Sequence, residues 1–468
     1  MSKEGKLIHN TMLIAISNIC TKFVSFFMMP LYTSLLTTGE YGVVDMIATY
    51  TSLIAMGINM QLEQGVFRFL VEARGNPPKQ NEYISNAVYL TIAAIAVFTL
   101  VAVPVLTVVG YAYTNYLIVS VLVNVLSALL LQIPRGCGDN KAYAAISCIC
   151  GLSHVLLNVL FVAVFKWSID GMLRAGILSH VITICLVVRQ SRLWKRTSLK
   201  NLHKQSMREL LQYSLPLVPC TFMWWIVNAS DRVIINLTLG VALNGVYYVA
   251  NKFASIYALA GNIFHIAWTE AAVENIGDIK RSMFYQEIFN KMVRFYSSCC
   301  VGLIAIIPFV FPFLVDDKFG EAIRYIPLLL IAAMVHALTS FYGSIYLAFK
   351  QTKSVANSTF LAAALNIIIN LLLIRYVGLY AAALSTLISY SIILAVRYVE
   401  IKKMTNIAIS KTFLLKEIVV HILVIISFYS DNRILQVITL MWLIPYCCVS
   451  NRQLIMSAIR KLKSKLVR

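Results

Sequence analysis

Apolar stretches follow one another through this chain from residue 9 to residue 450, a pattern no ordinary soluble domain can carry. A bilayer span needs roughly 20 apolar residues. Such stretches fall near 9–36, 42–61, 83–107, 115–134, 142–166, 170–189, 213–238, 245–267, 292–315, 325–349, 354–375, 378–396, 415–430 and 434–450. The thirteenth is the weakest, because Lys416 and Glu417 leave a short apolar remainder. Twelve spans is therefore the minimum and about fourteen the expectation. The chain is expected to be an all-α integral membrane protein, in keeping with 59% hydrophobic residues, 13% charged residues and a mean hydropathy of +0.77.

A net charge of +20 invites a nucleic-acid reading, and its distribution removes it. With these spans, about 31 Lys/Arg lie on the side shared by the N-terminus and the even-to-odd connections, and about 5 on the other side. That asymmetry is the positive-inside rule, and it predicts that both termini are cytoplasmic. The basic tail Arg460-Lys461-Leu462-Lys463-Ser464-Lys465 then meets anionic lipid headgroups. Lys3 and Lys6 precede the first apolar run, but no small-residue cleavage pattern follows, so it reads as an uncleaved helix.

The first half of the chain resembles the second. Gly39-Glu40-Tyr41-Gly42-Val43-Val44-Asp45 matches Gly245-Val246-Tyr247-Tyr248-Val249-Ala250-Asn251. Asn158 with Gly171–Ser179 matches Asn370 with Gly378–Ser385 at nearly the same offset. Two matches in order at one offset indicate a duplicated unit of six spans. An even number of spans keeps both copies in one orientation, related by a pseudo-twofold along the membrane normal. The expected organisation is a six-helix lobe over 1–200, a second over 201–405, and two further helices with the basic tail over 406–468. The longest connection, near 190–212, falls between the copies. Duplicated helical bundles place a solute pathway where their lobes meet, which is a transporter signature.

Prolines Pro30, Pro104, Pro216, Pro219, Pro308 and Pro312 lie within spans and each removes a helix donor, giving either packing kinks or gating hinges. The ten cysteines fall mostly in spans and none joins a histidine at metal-ligand spacing, so they read as packing residues. No metal or cofactor is expected. No nucleophile motif or phosphate-cradling loop occurs, and short connections leave no room for a catalytic domain, so the chain does not read as an enzyme.

Charges at membrane depth are costly and face a cavity or a partner. Lys22, Asp45, Arg174, Asp231, Arg232 and Lys252 form this set, and basic residues outnumber acidic ones. Five of the six, all but Arg174, lie on helices 1, 2, 7 and 8, which are equivalent pairs of the two repeats, and this suggests a shared central lumen. Lys22, Arg174, Arg232 and Lys252 would suit an anionic solute such as a phosphate or pyrophosphate headgroup. Asp45 and Asp231 would pair with Lys22 and Lys252. Static helix-to-helix ion pairing is the competing reading, and Arg174 and Asp45 lie near enough to span ends to snorkel. Of the scattered histidines, His265 stands near Trp268 and Glu270 and is a coupling candidate with Glu270. Trp224 and Trp225 read as packing anchors or as sugar-stacking platforms.

Tyr213-Ser214-Leu215-Pro216-Leu217-Val218-Pro219, Asn228, Asp231-Arg232, Leu239-Gly240 and Gly245-Val246-Tyr247-Tyr248 resemble the seventh-helix region of Wzx-type polysaccharide flippases. Thr38-Gly39-Glu40-Tyr41-Gly42 and Ala267-Trp268-Thr269-Glu270 add to the resemblance. It implies membership of a superfamily of two six-helix lobes that also holds the MATE drug exporters and the lipid II flippase. It further implies location in the bacterial inner membrane and movement of an undecaprenyl-pyrophosphate-linked oligosaccharide to the periplasmic leaflet for O-antigen or another surface polysaccharide. Alternating access driven by a proton or sodium gradient, and a polysaccharide polymerase as partner, are implied in the same way. A lipid II flippase and a cation-coupled drug exporter are the alternatives, the second fitting the basic set poorly.

Overall fold

The structure is a computed structural model that describes residues 26–275, 281–405, 407, 411–453 and 456. Among these residues every regular element is helical. Twelve helical segments are long and apolar enough to cross a membrane, from Thr38–Asn59 to Arg433–Ser450. Two of the fourteen expected spans are not among them. Most of the stretch 9–36 lies outside the described residues, and 245–267 lies within the helix Val241–Glu274. Several helices overrun the sequence boundaries. Pro77–Val109 has 33 residues, about 50 Å at 1.5 Å per residue, so its end projects beyond a hydrocarbon core of about 30 Å.

The described residues form two compact units. One runs up to Asn236 and includes Gly240–Gly245; the other holds Leu237–Leu239 and continues from Val246. A unit defined by packing is a different partition from a lobe defined by duplication.

In the first unit, the core joins Leu62, Val66 and Leu70 to Ile84, Leu129, Ile133, Val187 and Leu210. The expected connection near 190–212 is itself folded. Lys204–Ser214 is a helix that buries Ser206, Leu210 and Ser214 at successive four-residue steps. Its polar face is tied down where the Tyr83 hydroxyl donates to Glu209 Oε2 at 2.8 Å. Pro216 then takes effect: residues Leu215–Leu217 form a single turn of 3-10 helix before Val218–Thr238 resumes.

In the second unit, Ile326–Ala348 packs against Tyr380–Thr405, which also packs against Thr352–Val377. The added helices Lys411–Tyr429 and Arg433–Ser450 both pack on Arg281–Leu314. The weak thirteenth span is explained by its neighbours. Glu417 is buried and accepts from Ser297 Oγ and, at 3.0 Å, from the Tyr446 hydroxyl. Lys416 turns outward, with Nζ 5.0 Å from the Tyr446 ring centroid. A buried carboxylate with two donors is tolerable where an unpaired one is not.

Candidate functional site

The site begins with a helix start. Thr37 and Glu40 form a reciprocal capping box: the Glu40 backbone N–H donates to Thr37 Oγ1 at 3.2 Å, and the Thr37 backbone N–H donates to Glu40 Oε2 at 2.8 Å. Ser168 adds a hydrogen bond to the other Glu40 oxygen at 2.6 Å. This fixes the first turn of Thr38–Asn59 and so the direction of Asp45, two turns on.

Glycines then bring in a second backbone. A Cβ on Gly42 would lie 2.0 Å from the Val241 carbonyl oxygen, and one on Gly245 would lie 2.0 Å from that of Thr38. The contact is reciprocal, and only glycine permits it. The two helix starts, Thr38 and Val241, share the register of the two touching glycines. That register is three residues tighter than the Gly39–Gly245 match seen in the sequence. At this crossing Asn244 is fully buried, and its side-chain N–H groups reach the Gly42 carbonyl at 3.4 Å and Asp45 Oδ2 at 3.2 Å.

The other Asp45 oxygen meets Arg232. The Nη1–Oδ1 distance is 3.1 Å, with the Asp45 side chain 1% exposed and the Arg232 side chain 21%. Two turns from each residue, Trp225 Nε1 donates to Ser52 Oγ at 2.9 Å. The paired spacings show that Thr38–Asn59 and Val218–Thr238 lie antiparallel along this face. The Asp45 carboxyl group is thus held within a span by a guanidinium and an amide, with an indole–hydroxyl bond further along the same seam.

The remaining sequence-selected residues are distributed more widely. Asp231 is buried beside Arg232 in the chain. Arg174 is exposed, its Nε donating to the Tyr116 hydroxyl at 3.2 Å and its guanidinium 5.1 Å from the Trp167 ring. That is a cation held by aromatic groups. In the second unit, Lys252 Nζ lies 4.7 Å from the Tyr248 ring centroid. His265 is half-buried and Glu270 exposed, whereas Trp268 between them is a core residue stacked on Phe341 at 4.4 Å. Lys22 lies outside the described residues.

Asp45 is therefore paired with Arg232, a cation the sequence reading had not chosen for it. That reading also missed Arg397. This residue is 3% exposed in the second unit, with Nε and Nη2 on Ser358 Oγ at 3.0 and 2.8 Å and Nη1 on the Thr339 carbonyl at 3.0 Å. Gly343 makes room for it, since a Cβ there would stand 2.9 Å from Nη1. The apolar stretch of the twelfth span ends at residue 396, which places Arg397 among the connecting residues by sequence alone, whereas the helix runs to Thr405. Among the described residues no group of three or more His, Cys, Asp or Glu is placed to hold a metal ion.

No curated protein sequence matches this chain. Its fold is shared with solved transporters. An inward-facing multidrug resistance MATE family transporter of the MOP superfamily matches at TM-score 0.62 and 12% identity, covering 83% of this chain and 96% of that one. The lipid II flippase MurJ in an inward closed conformation matches at TM-score 0.65 and 14% identity, over 96% of this chain and 100% of that one. An outward-facing MATE transporter matches at TM-score 0.59 and 13% identity, over 85% and 95%. Residues 7–268, more than half of the chain, match the family model described as polysaccharide biosynthesis protein. With a multi-pass helical architecture and the fold of MOP-superfamily transporters, the chain belongs to the polysaccharide biosynthesis protein family.

Proposed function

We propose that this protein is a flippase that carries an undecaprenyl-pyrophosphate-linked oligosaccharide from the cytoplasmic to the periplasmic leaflet of a bacterial inner membrane. The observation that carries the reading is membership of a polysaccharide biosynthesis family in a chain with the fold of a lipid flippase. The chemistry is consistent. The polyprenyl tail is as apolar as the bilayer and needs no cavity. The pyrophosphate and sugar hydroxyls do, since each polar group crossing hydrocarbon unpaired costs several kcal/mol.

In this reading residues 1–200 and 201–405 act as two lobes in alternating access, with 406–468 as an added pair and a basic tail on the cytoplasmic side. Lys22, Arg174, Arg232 and Lys252 contribute cationic contacts for the headgroup. Asp45, Asp231, His265 and Glu270 are candidates for charge exchange with a coupling proton or sodium ion. Arg232 is the most informative of the set, because its charge is already committed to Asp45 and is only partly buried. A headgroup pyrophosphate would compete with Asp45 for the same guanidinium.

The test is a strain deleted for the gene, with surface polysaccharide measured and the lipid-linked unit extracted and assigned to a leaflet. Loss of polymer with the unit trapped on the cytoplasmic leaflet is the expected result. Normal polymer and a normally distributed intermediate, in a strain with no second flippase, would point to a drug or another lipid as cargo.

A further inference from the structure

The second unit holds a cavity of about 900 Å³ that the charged set in the spans does not explain. It is lined by residues from three connections. These are the segment Asp317–Tyr325 between two helices, the junction where Tyr380 opens Tyr380–Thr405, and the turn between Lys411–Tyr429 and Arg433–Ser450 with its flanking helix ends; Pro308 and Pro312 of Arg281–Leu314 complete the wall. Each connection follows the first, third or fifth of six successive spans, so alternation puts all three on one side of the membrane. The charge count assigns that side to the exterior, since it carries few of the basic residues.

The lining mixes aromatic rings with both signs of charge. Tyr380 and Tyr429 supply rings, Glu321 and Asp431 carboxylates, and Arg324 and Arg433 guanidinia. The two signs balance, so a site built for an anion is not the natural reading. Rings beside donors and acceptors are the chemistry that binds a pyranose, with its C–H face on an aromatic plane and its hydroxyls on charged groups at the edge.

The wall is also held in place. Pro312 has no N–H to give the Pro308 carbonyl one turn earlier, and Arg433 Nη1 donates to that oxygen at 2.9 Å. The Tyr429 hydroxyl donates to the Arg324 carbonyl at 2.5 Å, and the Tyr325 hydroxyl to Glu321 Oε1 at 2.5 Å. Asp431 has φ 51°, in the left-handed region that Asp and Asn adopt more readily than other side-chain-bearing residues. A strained turn that aims a carboxylate at a cavity is a feature of binding sites.

We infer that this cavity is an extracytoplasmic saccharide-binding site, separate from the charged set in the spans, that takes part of the oligosaccharide after it has crossed. The choice of a saccharide as occupant rests on the proposed function; the cavity and its chemistry do not. The probe is the repeat-unit oligosaccharide cut from its lipid by mild acid, without tail or pyrophosphate. Its binding to the full chain in lipid nanodiscs is read by saturation-transfer NMR.

Binding to the unaltered protein is expected, weakened about tenfold or more by Asp431→Asn and by Glu321→Gln. Asn keeps the left-handed turn, and both side chains are exposed, so an unchanged melting temperature separates lost binding from lost fold. Absence of binding to the unaltered protein would overturn the site. So would binding that both variants leave intact, or displacement by inorganic pyrophosphate. Translocation is scored separately. Binding without translocation keeps this site and defeats the flippase reading, and translocation without binding does the reverse.

Discussion

Asp45 Oδ1 and Arg232 Nη1 form an ion pair at 3.1 Å across two antiparallel helices, and the acid is almost wholly buried while the base is not. Removing either charge alone breaks this ion pair and leaves the other charge without its counter-ion from the facing helix. Arg232→Gln is expected to destabilise the protein by about 3–5 kcal/mol, and pairing it with Asp45→Asn to recover most of that loss. Thermal unfolding in detergent of the two single variants and the double variant checks this. Additive losses would mean the pair is not coupled.

The glycine crossing makes a sharper prediction, because backbone atoms cannot move aside. Gly42→Ala and Gly245→Ala each drive a methyl group into a carbonyl oxygen and should prevent stable folding. Gly39→Ala and Gly302→Ala have nothing within 4 Å of the new Cβ and should be silent. Yield of monodisperse protein by fluorescence-detected size exclusion separates the two classes.

Much of this crossing was legible. Both touching glycines, Gly42 and Gly245, lie in the two segments whose sequences match, and the charges Asp45 and Arg232 stand out by type and depth. Their pairing was not legible, because the distance between residues on separate helices depends on which helix faces touch. Arg397 was hidden by a helix end. Apolar length locates a span, whereas Ser358, Thr359 and the Thr339 carbonyl allow the Tyr380–Thr405 helix to carry a guanidinium beyond the apolar stretch.

Arg397 should tolerate replacement poorly. Its planar fork contacts Ser358 and the Thr339 carbonyl together, and a lysine's single ammonium cannot reproduce that geometry. Arg397→Lys is expected to cost about 1–3 kcal/mol in unfolding free energy through the donors and acceptors left unmet. An unchanged melting temperature would show the fork to be dispensable.

Pro312 and Arg433 should be energetically coupled. Pro312→Ala restores the helix donor to the Pro308 carbonyl, so Arg433→Gln should be more damaging with proline present than with alanine. A double-mutant cycle on thermal stability should give a coupling of about 1 kcal/mol. A coupling near zero would mean the Arg433 contact at 2.9 Å does not replace the missing helix bond.

The central claim is that the chain moves a lipid-linked oligosaccharide and that Arg232 serves that movement. Purified protein in proteoliposomes, loaded with an undecaprenyl-pyrophosphate-linked oligosaccharide in one leaflet, gives the most direct reading when appearance in the other leaflet is followed with time. The account predicts transfer by the unaltered protein, and loss of transfer by the Asp45→Asn, Arg232→Gln double variant even where its stability is recovered. No transfer by the unaltered protein under a proton or sodium gradient would contradict the flippase assignment, and full transfer by the double variant would contradict the role of Arg232.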